Sequence, residues 1–340
     1  MTRDVVLAIG LLAAAGLLTA ALIVVLRPYL VRYAMARPNA RSSHKVPTPQ
    51  GGGIAVIGAV SIVLAAAWLM LPQIIPHAAN LAVIVAAAIG LAVVGALDDI
   101  RPIQPLPRLL LQAVAVLIVL AALPADLRAL PALPWWAERA LMAVGLIWFI
   151  NLVNFMDGLD WITAAEIVPV TAALALFGAS GALPSEASFT AVALCGAMLG
   201  FAPFNKPVAR LFLGDVGSLP IGLLVGWLLI VLAEHHLAAA LLLPLYYLTD
   251  ATITLVRRFL RGEAVTQAHR SHFYQQATDA GLSALQVSAR VFLANVVLAV
   301  LAALTFNASR LLQIVLLFCG CVSVAVLLTI FRNGRKPGVR

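Results

Sequence analysis

Residues 5–26 read VVLAIGLLAAAGLLTAALIVVL, an apolar run without one ionisable side chain. A helix rises about 1.5 Å per residue, so about 20 such residues cross a hydrocarbon core roughly 30 Å thick. Inside lipid every backbone N–H and C=O must be satisfied within the segment, which makes the run a helix. Its flank carries Arg3 and Asp4, which cancel, and the run is longer than the apolar part of a usual signal peptide. It therefore reads as an uncleaved first span.

The pattern repeats along the chain. Of 340 residues, 63% are hydrophobic and 11% charged, and the mean hydropathy is +1.04. No water-soluble fold presents so little polar surface. Eleven spans are expected, near 5–26, 52–71, 80–97, 109–124, 140–156, 161–178, 187–203, 219–234, 237–256, 286–306 and 309–331. The expectation is an all-α polytopic transmembrane protein forming one domain over residues 1–340, with no soluble domain and no internal repeat. The cysteines, Cys195, Cys319 and Cys321, lie inside apolar runs and suggest neither a disulfide framework nor a zinc site. Gly196/Gly200 and Gly222/Gly226 have the small-xxx-small spacing of closely packed helices.

Charge sets the expected orientation. Alternate connections hold 17 Lys and Arg residues on one side and 4 on the other, with Arg290 inside a span. That places the amino terminus outside and the carboxyl terminus in the cytoplasm. The net charge of +8 is then mostly a topology signal, and no nucleic-acid partner is needed to explain it.

Five polar clusters interrupt the apolar runs: RPNARSSHKVPTPQGGG (37–53), GALDDIRP (95–102), NLVNFMDGLD (151–160), FNKPVARLFLGDVGS (204–218) and QAHRSHFYQQ (267–276). All fall on the side that the charge count makes cytoplasmic, in loops near 27–51, 98–108, 157–160, 204–218 and 257–285. Asp98, Asp99, Asp157, Asp160 and Asp215 have no equal number of local cations. A divalent ion with oxygen ligands resolves the repulsion, and Mg2+ takes one or two carboxylates together with water and substrate phosphates. Lys45, Arg257, Arg258, Arg261 and Arg270 on the same face suit a polyphosphate. Acids with metal beside cations point to phosphoryl transfer, where catalysis is largely positioning and charge neutralisation.

Plainer readings stand beside these. Asp98 and Asp99 could be a solvated helix end. Asn154, Asp157 and Asp160 are three apart and could share one helical face, or Gly158 could mark a turn. LGDVGS could be a Gly-rich turn in which Ser218 caps the next helix. His269 and His272 have zinc-ligand spacing but no third ligand nearby; substrate phosphate contact or ordinary loop polarity are the alternatives. Asp250, two turns before Arg257, reads as a paired or packing acid as readily as a functional one. Intramembrane carboxylates also occur in ion-coupled transporters, which place them near the bilayer midplane, often in paired repeats; here the acids fall at span ends on one face.

The ordered motifs from about residue 37 to residue 276 resemble the polyprenyl-phosphate N-acetylhexosamine-1-phosphate transferase superfamily, which includes MraY and WecA. The strings RPNARSSHKVPTPQGGG, NFMDGLD, FLGDVGS and HRSHFYQQ look most like the WbpL-type enzymes that begin lipopolysaccharide O-antigen units. The resemblance implies transfer of a sugar 1-phosphate from a UDP-sugar to undecaprenyl phosphate, with release of UMP, at the cytoplasmic face of a bacterial inner membrane. It implies Mg2+, with Mn2+ as a substitute, as cofactor, and is compatible with a homodimer. It makes Asp98, Asp99 and Asp157 catalytic, and Asp215 and Asn154 metal ligands. Asp160, Asn205, His269, Arg270, His272, Lys45 and Ser218 become substrate-binding. Three features depart from the family pattern. Pro102 stands where a third acid often occurs, the histidine motif is HxxH, and Trp161 replaces a usual Gly, where its ring is expected to reshape the sugar pocket.

Overall fold

The apolar runs form helices in a computed structural model that describes residues 2–36, 47–72, 77–264 and 269–333. They are α1 (Thr2–Tyr33), α2 (Gly52–Met70), α3 (Ala78–Ile100), α4 (Pro105–Ala122), α5 (Trp135–Met156), α6 (Ile162–Ala179) and α7 (Ser185–Phe201). After these come α8 (Asp215–Leu242), α9 (Leu245–Leu260), the short α10 (Phe273–Asp279), α11 (Ala284–Leu304) and α12 (Arg310–Arg332). The only sheet among the described residues is a pair of two-residue strands, β1 (Met35–Ala36) and β2 (Thr48–Pro49).

α8 is the axis of the bundle. It is buried along most of its length and packs against α3, α5, α2 and α11. The outer helices turn large apolar side chains outward, among them Leu17, Leu117, Val300 and Phe318. A surface of that kind suits lipid, where apolar side chains need no polar cover. The glycine spacing has the expected cause: a Cβ on Gly196 or Gly200 would strike the α1 backbone at Leu12 or Gly16, so α7 and α1 touch backbone to backbone there.

Nine of the described helices are long and apolar enough to span a membrane, against the eleven runs expected. α7 has 17 residues and falls just short. The expected run 237–256 is not one helix. The chain breaks helical geometry at His236 (φ −134°, ψ 55°), resumes to Leu242, and stops at Pro244, which has no N–H to continue the ladder. α9 follows as an amphipathic helix with Arg257 and Arg258 in its last turn.

Short backbone pairings fasten distant loops at one end of the bundle. Met35 and Ala36 pair antiparallel with Pro49 and Thr48. Gln50 then bridges to Phe212, whose N–H donates to the Pro49 carbonyl at 2.9 Å. The amides of Gly52 and Gly53 donate to the carbonyls of Phe212 and Leu213, both at 2.9 Å. The PTPQGGG and FLGD segments thus form one layer over the ends of α3, α5 and α8.

Candidate active site

Under that layer lies a cavity of about 700 Å3 whose walls include Asp99, Asn154, Asp157, Asp160, Asn205 and Asp215. Gln50, Gln275 and Leu285 complete the sides that face the strands, α10 and α11. Residues from all five polar clusters thus converge in space.

Asp99 arrives through a close helix contact. A Cβ on Gly95, one turn earlier, would collide with the Asp215 carbonyl, so only glycine lets α3 reach the start of α8. Asp99 then accepts the backbone amides of Asp215 (3.1 Å) and Val216 (3.2 Å). The first amides of a helix have no partner within it, and this carboxylate supplies one from another helix. Gly214, at φ 77°, makes the left-handed turn into α8.

Asp98 does not line the cavity, although its carboxyl reaches that of Asp215. It accepts the Ile103 amide at 2.5 Å and pairs with Arg108 at 2.8 Å, closing the α3–α4 turn. Arg108 also lies 3.5 Å from Asp215. Asn154 completes this group: its Nδ2 donates to Asp215 Oδ1 (2.7 Å) and to the buried Ser218 Oγ (2.9 Å).

α5 ends at Met156, so Asn154, Asp157 and Asp160 do not share a helical face; the turn reading holds. Asp157 caps the end of α5 and accepts a short hydrogen bond from Thr163 Oγ1 in the first turn of α6. Burial, with the nearby charges of Asp215 and Asp99, raises its pKa to about 8. Asp160 accepts the Ala209 amide at 3.0 Å. Asn205 accepts the Trp161 amide (2.7 Å) and donates to the Leu211 carbonyl (3.0 Å), clamping the 158–161 turn to the loop before α8.

Trp161 departs from expectation. Its φ of 65° lies in the region that favours glycine. The ring does not line the acid-rich cavity. Its Nε1 donates to the Ala202 carbonyl at 2.6 Å, and it walls a separate apolar groove of about 300 Å3 with Val168, Leu199 and Phe292.

The histidine segment stands behind the cavity wall. His272 is buried, with Nδ1 3.3 Å from Asp250, which also accepts the amides of Phe273 (3.0 Å) and Tyr274 (3.3 Å). Asp250 is therefore paired, through this loop and not through Arg257, whose guanidinium lies over the Phe273 ring. His269 is half-buried beside Ser271, and burial, then the neighbouring His272, lowers its pKa to about 4. Arg270 pairs with Asp279 at 2.9 Å. Within this segment Gln275 reaches the cavity lining, and the Tyr274 hydroxyl donates to the Phe155 carbonyl at 3.3 Å. Lys45 lies outside the described residues.

Sequence reasoning did not single out Arg108, Gln50 or Thr163. Arg108 pairs with Asp98 and lies 3.5 Å from Asp215, and its nearness to the Asp98–Asp99 pair in sequence was the available signal.

Among the described residues no three His, Cys, Asp or Glu side chains close around a point as a complete metal cage. The open set of Asp99, Asp157 and Asp215 carboxylates with the Asn154 amide is nevertheless hard-oxygen chemistry. It fits Mg2+, which keeps waters and phosphate oxygens in its shell.

The fold and the cavity define an all-α polytopic membrane protein with a carboxylate-rich pocket at one end of its bundle. The model of glycosyl transferase family 4 matches residues 81–233, which include every acid of the cavity but neither the histidine segment nor Lys45. The chain is 28% identical over 297 residues to a probable undecaprenyl-phosphate N-acetylglucosaminyl 1-phosphate transferase of Bacillus subtilis, covering 84% of this chain and 81% of that one. It is 26% identical over 336 residues to the decaprenyl-phosphate N-acetylglucosaminephosphotransferase of Mycobacterium tuberculosis, covering 88% and 83%. A phospho-N-acetylmuramoyl-pentapeptide-transferase of Geobacillus kaustophilus is 29% identical over 238 residues, covering 62% and 71%. The chain is thus similar, over the residues that build the cavity, to transferases that act on polyprenyl phosphates.

Proposed function

We propose that the protein transfers a sugar 1-phosphate of the N-acetylhexosamine type from a UDP-sugar to undecaprenyl phosphate. UMP leaves, and the product starts a cell-envelope glycan such as a lipopolysaccharide O-antigen unit. The observation that carries this reading is the convergence of Asp99, Asp157, Asp160 and Asp215 in one cavity at the end of the bundle. An ion-coupled transporter would carry such acids near the bilayer midplane.

Asp215 and Asn154 are the residues to hold Mg2+, with Asp99 fixed behind them as the cap of α8. When bound, the ion neutralises charge on the diphosphate and on departing UMP. An oxygen of the acceptor phosphate bonds to the β-phosphorus of the donor. The bond from that phosphorus to the bridging oxygen breaks, and its electron pair leaves with UMP. The second pKa of a phosphate monoester is about 6, so the acceptor is largely dianionic at neutral pH and needs no strong base. Asp157, in the cavity wall, is assigned to orient the acceptor phosphate.

Arg108, between Asp98 and Asp215, is placed to meet a phosphate oxygen. Asp98 acts through it as a positioning residue. Asp160 and Asn205 hold the sugar-side wall, and Ser218 orients Asn154. His272 and Arg270, tied to Asp250 and Asp279, shape the histidine loop, while His269 serves as a neutral hydrogen-bonding group at physiological pH. Lys45 is assigned to donor phosphate. The cavity end also carries Arg101, Arg108, Lys206, Arg210, Arg257 and Arg258. That supports a cytoplasmic site in a bacterial plasma membrane, with the amino terminus outside.

The test is UMP release from purified protein given undecaprenyl phosphate, Mg2+ and a panel of UDP-sugars. Release that requires lipid, metal and a particular donor establishes the reaction and its sugar. No release from folded protein with any donor overturns it.

A further inference from the structure

One buried acid takes no part in this site. Glu166 lies on α6, one turn beyond Thr163, and is 2% exposed. Among the described residues no Lys, Arg or His is ion-paired with it. Its Oε2 accepts from Asn295 Nδ2 of α11 at 2.6 Å, and the same nitrogen donates to the Ala165 carbonyl at 3.1 Å. Glu166 Oε1 and Asn295 Oδ1 are sealed from solvent without a side-chain partner, and the backbone amide of Tyr247, at the start of α9, approaches the same carboxyl.

Two such acceptors on groups already joined by one hydrogen bond define what is missing. An ionised carboxylate without a cation is very costly deep inside a membrane bundle. One proton removes both defects. A carboxylic acid and a primary amide can pair reciprocally, amide N–H to acid carbonyl and acid O–H to amide oxygen. Oε2 already takes the carbonyl role, which leaves Oε1 as the hydroxyl and Asn295 Oδ1 as its acceptor.

We propose that Glu166 is held as a neutral carboxylic acid in a reciprocal pair with Asn295, and that this pair positions the first turn of α6 beneath the cavity. Thr163 in that turn donates to Asp157, and Tyr247 stands beside both Thr163 and Glu166. Glu166 is a positioning residue, acting on Asp157 through α6. The positioning half rests on the proposed role of Asp157; the protonation half does not.

The test uses the full chain in lipid nanodiscs, with Glu166→Gln and Glu166→Ala compared by infrared spectroscopy, thermal unfolding and UMP release. In wild-type-minus-variant difference spectra at neutral pH, which cancel the acid band of Asp157, the wild type is expected to show a further carboxylic-acid C=O stretch that both variants lose. Gln reproduces both hydrogen bonds, so E166Q keeps its unfolding temperature and turnover. E166A loses roughly 5 °C of unfolding temperature, and its kcat falls while KM for the donor stays close to wild type. Absence of that further band in the wild type overturns the proposal, as does an E166Q variant as damaged as E166A. Stability of the wild type that depends on Na+ or K+ also overturns it, because an ionised Glu166 would then hold a cation. If the wild type transfers no sugar from any donor, the proposed reaction fails, while the infrared and unfolding comparison still decides the pair.

Discussion

The carboxylate of Asp99, in the last turn of α3, accepts the backbone amide of Asp215, the first residue of α8, at 3.1 Å. One acid thereby fixes the backbone that carries another, and the two sit side by side in the cavity wall. Asp99→Ala should cost about 1–2 kcal/mol of stability, the scale of a lost helix cap. Displacement of Asp215 should lower turnover on the order of 100-fold. Asp99→Asn keeps an acceptor oxygen and should retain more of the stability than of the activity. Thermal unfolding and UMP release on the same preparations separate the two effects.

Asp215→Asn should leave the fold intact, because its backbone amide still reaches Asp99. Mg2+-dependent turnover should fall by about 100-fold or more, with a higher Mg2+ requirement. Near-wild-type turnover at limiting Mg2+ would falsify its assignment as a metal ligand.

The raised pKa of Asp157 makes a signed prediction. The folded state binds this proton more tightly than the unfolded chain does. Its contribution is therefore fully present below about pH 4 and is lost as pH rises toward about 8. With metal chelated, Asp157→Asn should gain stability over the wild type as pH rises through this window. Unfolding temperatures at several pH values in EDTA check it; parallel curves for the two proteins would contradict the shift.

Asp250 receives the amides of Phe273 and Tyr274 together with His272. Asp250→Ala leaves buried donors without an acceptor, at about 1–3 kcal/mol each. The loop should become more sensitive to limited proteolysis between α9 and α10, and His272→Ala alone should produce a smaller change. Equal cleavage of wild type and Asp250→Ala would remove Asp250 as the anchor.

Because the Trp161 ring walls the apolar groove, Trp161→Gly should leave the order of preference among UDP-sugars unchanged. It relieves a positive φ but gives up the indole bond to Ala202 and the ring packing, so stability should fall. A changed donor order in the same panel would return the ring to the sugar pocket.

The helices were legible wherever an apolar run stopped at polar residues, as from α1 to α6. They were less so around His236 and Pro244, where apolar residues continue through two breaks in the backbone. The acids of the site were legible because carboxylates are rare in such a chain. Their separate tasks were not. Asp98 and Asp99 are adjacent in sequence, and only the approach of α8 against Gly95 turns Asp99 inward and leaves Asp98 to Arg108. Arg108 was counted as a topology signal, although the same charge faces Asp215. Glu166 and Asn295 are 129 residues apart, each inside an apolar run with no motif around it.

The bridge between Gln50 and Phe212 has a consequence for biogenesis. The two segments leave the ribosome 162 residues apart, and contacts so distant in sequence form late because the intervening chain must first be ordered. The helices between them can enter the bilayer one after another, yet the roof of the cavity waits for the start of α8. A nascent chain released before residue 212 should integrate into the membrane while residues 47–53 stay open to protease. Catalytic competence then arrives as a single late event in synthesis, and insertion alone does not report it.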